Sequence, residues 1–156
     1  MNIKDSGPPI SDARVAELES RVGKRFPETY RQFLLASNGG RPIPDTVTVK
    51  GLPGGATDVQ VFFGVEDPID SCTIGWNLNV LSKRLEQLAH HGMSLLPIAI
   101  DSGGSVFLLS IGGRANGAVF YADLQSVFAD YEAIPRLYLV APAFEDFLDG
   151  LAPYSE

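Results

Sequence analysis

The stretch LLPIAIDSGGSVFLLSIGGRANGAVFYA, residues 95–122, decides the fold. It holds three runs of strand character, Leu95 to Ile100, Val106 to Ile111 and Ala118 to Ala122, built from β-branched, aromatic and other apolar residues. Between them lie Asp101-Ser102-Gly103-Gly104 and Gly112-Gly113-Arg114-Ala115-Asn116-Gly117. Short glycine-rich links of this kind join neighbouring antiparallel strands, so the segment is expected to form a meander.

Upstream of the meander the periodicity changes. Ser11 is placed to cap a helix in which Val15, Leu18 and Val22 recur at helical spacing, with Asp12 suited to its positive end and Gly23 closing it. Phe26-Pro27-Glu28 restarts a helix with Tyr30, Phe33 and Leu34 as its inward stripe. That helix stops at Asn38-Gly39-Gly40, where Gly39 or Gly40 is the expected C-cap. From Arg41 to Asp58 the chain is rich in Pro and Gly and is expected to be a loop around one short strand at Val47 and Val49. Val59, Val61, Phe62 and Phe63 suggest a further strand, followed by the polar turn Glu66-Asp67-Pro68-Ile69-Asp70. Asn77 is the expected cap of a third helix carrying Leu78, Leu81, Leu85 and Leu88 and ending at Gly92.

Downstream of the meander, Leu137 to Val140 suit an edge strand, and Phe144, Phe147, Leu148 and Leu151 mark a closing helix after Pro142. The expectation is a single α+β domain over residues 10–152, a mixed, mainly antiparallel sheet packed against N-terminal, central and C-terminal helices. Residues 1–9 read as a flexible tail leading in, and residues 153–156 as a C-terminal tail. An exposed edge strand can pair two chains, yet nothing in the residues fixes an oligomeric state.

With 156 residues, 45% of them hydrophobic and 20% charged, the chain is large enough to bury one core without metals or disulfides. The single cysteine, Cys72, fits a reducing compartment, and the opening residues lack a secretory h-region, so a cytoplasmic location is expected. No apolar run is long enough to span a bilayer. The net charge of -7 disfavours nucleic acid and anionic membrane as partners and favours encounter with a basic protein.

Three patterns then stand in a characteristic order: Phe26-Pro27-Glu28-Thr29-Tyr30 running into Asn38-Gly39-Gly40; Leu96-Pro97-Ile98-Ala99-Ile100-Asp101 with Gly103-Gly104; and Gly117-Ala118-Val119-Phe120-Tyr121-Ala122-Asp123. In their combination the chain resembles the SUKH superfamily from Ile10 to Leu151, with Phe144-Glu145-Asp146-Phe147-Leu148 similar to that family's last helix. The resemblance implies a SUKH-like fold and, in bacteria, an immunity protein that neutralises a polymorphic or contact-dependent toxin. Fungal relatives act instead as regulators of cell-wall assembly, which leaves a regulatory or scaffold module as the alternative. The family brings no catalytic residues. Its matching positions here, Pro27, Tyr30, Asn38, Gly39, Gly40, Pro97, Asp101, Gly103 and Gly104, are expected to be structural. Phe26 stands where Leu is commoner, a difference that core packing absorbs.

Other constellations give no chemistry. Asn38-Gly39-Gly40 is followed by no Lys-Ser or Lys-Thr and closes a helix instead of opening one, so it does not read as a phosphate loop. Asp101-Ser102-Gly103-Gly104-Ser105 lacks the Gly-x-Ser-x-Gly elbow and sits between strands. His90 and His91, the only histidines, point about 100° apart on a helix and do not make a metal site. No cofactor, metal or enzymatic activity is expected. A partner-binding surface is expected where Glu66, Asp67 and Asp70 gather near Trp76, with Asp45 and Asp58 extending an acidic face. The alternative for Trp76 is a core plug beside the third helix, with the acids a solvated loop.

Overall fold

The computed structural model describes residues 1–89, 92–127, 130 and 132–155. Its centre is a five-stranded antiparallel sheet in the order β5 (Val61–Phe62), β6 (Met93–Ile100), β7 (Val106–Gly113), β8 (Val119–Asp123) and β9 (Arg136–Ala141). The meander is present as its glycine links require, with Ile100 opposite Val106 and Leu109 opposite Val119. Pro97 lies in β6 where the register shifts between Pro97 and Ala99, the kind of irregularity at which a central strand tolerates proline.

β7 explains the near-continuous apolar run Val106-Phe107-Leu108-Leu109. Phe107, Leu109 and Ile111 belong to the main core on one face of the sheet, while Val106 and Leu108 belong to a smaller cluster on the other. A strand covered on both faces has no polar side to alternate with. The main core is supplied by α1 (Asp12–Val22), α2 (Glu28–Ala36) and α5 (Phe144–Asp149). Tyr30, Phe33, Phe62, Phe144 and Phe147 form its centre through edge-on, tilted and, for Tyr30 on Phe33, stacked ring contacts with centroids 4.9 to 6.4 Å apart. Full burial of each such ring is worth about 1.5–3 kcal/mol. Leu88 of α4 (Ser82–Leu88) anchors the smaller cluster.

The helix ends follow their local chemistry. The Ser11 hydroxyl accepts from Arg14 N, and Gly23, with φ of 77°, closes α1 by donating to Glu19 O. The buried Glu19 carboxylate then accepts from Phe26 N at 2.7 Å and from Arg31 Nε at 3.3 Å, tying the end of α1 to the start of α2.

Several expectations need correction. Residues 1–9, expected as a tail, contain β1 (Asn2–Lys4), which pairs antiparallel with β2 (Arg41–Ile43). The segment from Arg41 to Asp58 holds three short strands instead of one: β2, β3 (Thr46–Thr48) and β4 (Ala56–Asp58), the last two forming a hairpin. Val59 and Phe63 are buried outside β5, which spans two residues only. α2 ends with Ser37 as C-cap, so neither Gly39 nor Gly40 has that role. Instead Gly39, with φ of 72°, lets the backbone run against β5: a Cβ there would stand 2.7 Å from Phe62 O and Gly64 N. The third helix is two, α3 (Ile74–Val80) and α4, and its cap is Thr73, whose hydroxyl accepts from Trp76 N at 3.1 Å. Asn77 lies inside α3 with its amide donating to Ser71 O and Thr73 O.

Asp101 is the most heavily bonded carboxylate of the β6–β7 turn and is buried. Oδ1 accepts from Gly103 N at 3.0 Å and Ser105 N at 2.9 Å; Oδ2 accepts from Thr57 Oγ1 at 2.7 Å and Tyr121 Oη at 2.5 Å. Burial and the adjacent carboxylate push the Tyr121 phenol up to about 12. Tyr30 differs: its hydroxyl is fully buried without a hydrogen-bond partner among the described residues, and burial alone pushes its phenol up further.

These contrasts give opposite outcomes. Asp101→Ala strands the Tyr121 hydroxyl and the Ser105 N–H, and should lower stability in urea melts by about 3 kcal/mol. Tyr30→Phe removes an unpartnered polar atom and should leave stability unchanged or raise it by up to about 1 kcal/mol, whereas most core substitutions lower it. A phenol raised from 10 on folding contributes stability that is whole below pH 10 and is lost as the pH climbs through the folded value. Melting temperature should therefore fall above pH 10, and fall less steeply in Tyr30→Phe.

Candidate protein-binding face

The expected acidic segment is positioned by Asn38. Its buried side chain accepts from Val65 N at 2.8 Å and donates to Pro8 O at 2.8 Å and Glu66 O at 3.0 Å, while its backbone carbonyl accepts from Gly7 N at 2.9 Å. One amide thereby holds both the N-terminal segment and the start of the loop from Glu66 to Cys72. The loop is shaped further by Asp67, whose Oδ1 accepts from Ile69 N at 2.8 Å, and by a 3-10 turn at Asp70–Cys72. Asp70 O accepts from Thr73 N and Oγ1, which leads the chain into α3.

This arrangement turns two large apolar side chains outward: Trp76 is 43% exposed and Ile69 60% exposed. Trp76 is therefore not a core plug. It lines a cleft of about 550 Å³ together with Pro68, Ile69, Val61 and Ile100 on the apolar side and Asp5, Arg41 and Asp67 on the polar side. A second cleft of about 440 Å³ is lined by Lys4, Asp5, Arg41, Asp45, Asp58 and Ser102, and shares Asp5, Arg41 and Gln60 with the first. Asp5 and Arg41 stand 3.7 Å apart and are both largely exposed, so their pairing is weak and their charges remain available to a partner.

The expected residues divide accordingly. Asp67 and Trp76 share the first cleft, and Asp45 and Asp58 the second. Asp58 accepts from both Ser102 N and Ser102 Oγ, which fixes its carboxylate. Glu66 and Asp70 line neither cleft. The Glu66 carboxylate accepts from Arg14 Nε at 2.6 Å on the side of α1, and with Glu17 it raises the Arg14 guanidinium above its ordinary value. Sequence reasoning missed Asp5, Arg41 and Ile69. Asp5 was hidden by the tail reading, because the β1–β2 pairing that carries it to the cleft joins residues far apart in the chain.

Cys72 lines the first cleft, but burial and the charge of Asp67 push its thiol up, with Arg41 opposing, which weakens it as a nucleophile at neutral pH. Among the described residues no group of three His, Cys, Asp or Glu side chains is placed to hold a metal ion; His90 and His91 lie outside the described residues. No described helix is long and apolar enough to cross a membrane. The remaining motif residues lie away from the clefts: Pro27 is the N-cap residue of α2, Tyr30 sits in the aromatic core, and Gly103 and Gly104 form the turn that Asp101 holds.

A search of the curated proteins found no match. A family model matches residues 9–150, a span that takes in α1 to α5, the five-stranded sheet and both clefts except their β1 side. The chain belongs to the SMI1 / KNR4 family (SUKH-1).

Proposed function

We propose that this protein is a non-catalytic immunity protein that binds a cognate polymorphic or contact-dependent toxin domain in the cytoplasm and blocks its active site or substrate access. Membership of the SUKH-1 family supports a protein-binding role, immune or regulatory. The observation that carries the surface is Trp76, an exposed aromatic side chain at a largely apolar cleft with charged walls. Aromatic anchors of this kind, ringed by polar groups, dominate the energy of protein interfaces. The net charge of -7, with Asp5, Asp45, Asp58 and Asp67 on the two clefts against Lys4 and Arg41, suits a basic partner face.

The test is co-expression with a polymorphic-toxin domain found encoded next to its gene, scoring survival and co-purification. Survival with a stable complex supports immunity by direct binding. Death without a complex, from folded protein, sinks that pairing and moves the regulatory module to first place. Within a complex, Trp76→Ala should weaken affinity by about 30-fold or more, the scale of an interface hot spot, while leaving the melting temperature nearly unchanged. Asp45→Asn with Asp67→Asn keeps the turn at Ile69, since Asn can accept the same bond, but removes two charges. It should slow association and flatten its salt dependence, with a smaller effect on dissociation. Unchanged association kinetics would remove these carboxylates from the interface.

A further inference from the structure

β5 pairs only with Ala99 and Ile100 of β6, and Phe63 N reaches Ile98 O; among the described residues no strand lies beside the rest of that edge, toward Met93. A groove of about 430 Å³ lies there between α1, α3, α4 and β6. Val22, Leu78, Leu85, Met93 and Leu95, all half-buried, give it an apolar floor. It shares no lining residue with the two clefts around Asp5. Its charge differs too: those clefts carry Asp5, Asp45, Asp58 and Asp67, whereas among the described residues no carboxylate lines this groove.

Three cations stand around it, each laid over a glycine. Arg21 lines the groove and donates from Nη2 to the neutral Asn79 Oδ1 at 3.0 Å; a Cβ on Gly75 would stand 2.9 Å from its Nη1. Lys24 lies over Gly112, where a Cβ would stand 3.3 Å from its Cε, and Gly112 is opposite the groove residue Ser94. Arg114 lies over Gly92, next to Met93. Neither Gly75 nor Gly112 has a positive φ, and the nearest atoms to the missing Cβ, outside the glycine's own stretch of chain, belong to Arg21 and to Lys24. What glycine admits at these two positions is therefore the cation. Among the described residues none of the three cations pairs with a carboxylate, and Glu17, one turn before Arg21, is taken by Arg14. In a chain of net charge -7 the result is a local positive field over an apolar floor.

We infer that this groove docks an acidic, amphipathic segment of a protein partner, its apolar side chains on the floor and its carboxylates toward Arg21, Lys24 and Arg114. Charge complementarity decides the occupant: a basic segment would set its own cations against these three, and a neutral apolar one would leave them unused. A segment in which Leu and Glu share the helical repeat matches both parts of the groove. α3 then contributes to two faces of opposite preference, through Trp76 and Asn77 at the first cleft and through Leu78 and Asn79 here. Such a chain can hold a basic protein on one face and an acidic one on the other. The inference does not depend on the basic partner being a toxin.

The probe is the peptide acetyl-Leu-Glu-Glu-Leu-Leu-Glu-Glu-Leu-amide, titrated into the isotope-labelled full chain and followed by the amide NMR signals. The control is the same peptide with every Glu replaced by Lys. The Glu peptide should shift the signals of Leu78, Asn79, Ser94 and Leu95, and the Lys peptide should not. Arg21→Glu with Lys24→Glu, both exposed positions, should weaken binding about tenfold at low salt with the melting temperature nearly unchanged. The difference should shrink as salt is raised. Ala89→Glu, which sets a carboxylate at an exposed lining position, should weaken binding as well. A Glu peptide that leaves these signals unmoved, or binds the double variant equally well, overturns the assignment, and so does a Lys peptide that binds the groove as tightly. Sodium dodecanoate shifting the signals where the Glu peptide does not would also overturn it and give the groove to a free amphiphile.

Discussion

Four donors converge on the Asp101 carboxylate, and they come from separate parts of the chain: the β6–β7 turn itself, Thr57 of the β3–β4 hairpin and Tyr121 of β8. A turn held only by its own backbone would fix the spacing of two strands. This one also fixes the third strand through Tyr121 and docks a hairpin lying outside the sheet. A carboxylate is suited to that task, being acceptor-only with room for several donors. Its burial is tolerable because its hydrogen bonds are made. Tyr121 in turn packs on Phe107, and Phe107 on Phe147, so the polar knot grades directly into the aromatic core.

The parts of the fold that could be read from sequence are those in which neighbouring residues determine the outcome. The Ser11 cap, the Gly23 stop and the meander's glycine links each act within a few residues, and the structure has them where the pattern puts them. The misreadings share a different cause. Asn77 and Gly39 are both residue types that favour helix ends, but long-range packing recruits them elsewhere: Asn77 to carbonyls of the preceding turn and Gly39 to a close passage beside Phe62. β1 was invisible because its ladder partner is some forty residues away, and three residues near Gly7, Pro8 and Pro9 carry no strand signal of their own.

The candidate face was half legible. An isolated tryptophan amid acidic residues drew attention to this loop, and the exposure of Trp76 excludes the core-plug reading. Linear proximity then misled, since Glu66 and Asp70 are neighbours of Asp67 in sequence but turn away from its cleft. Asp45 and Asp58, more distant in the chain, lie on the adjoining cleft, which Asp5, Arg41 and Gln60 join to the first. Which carboxylates lie together is set by the folding of the loops against β1 and β2, and spacing along the chain does not encode it.

Asn38 has a consequence for handling the protein. Its single amide binds the backbone at Pro8 and at Val65 and Glu66, so the first strand and the loop that carries Ile69 are mechanically linked. An affinity tag or fluorophore fused directly before Met1 extends the strand that leads into Asp5 at both clefts, and pulling on it loads the same amide that sets the loop. The far end is a gentler place of attachment: Ala152 is pinned to Thr46, and Tyr154 beyond it is 75% exposed. A label there spares the Asn38 amide but stands close to the second cleft, since Pro153 lines a hollow with Pro42, Ile43 and Asp45.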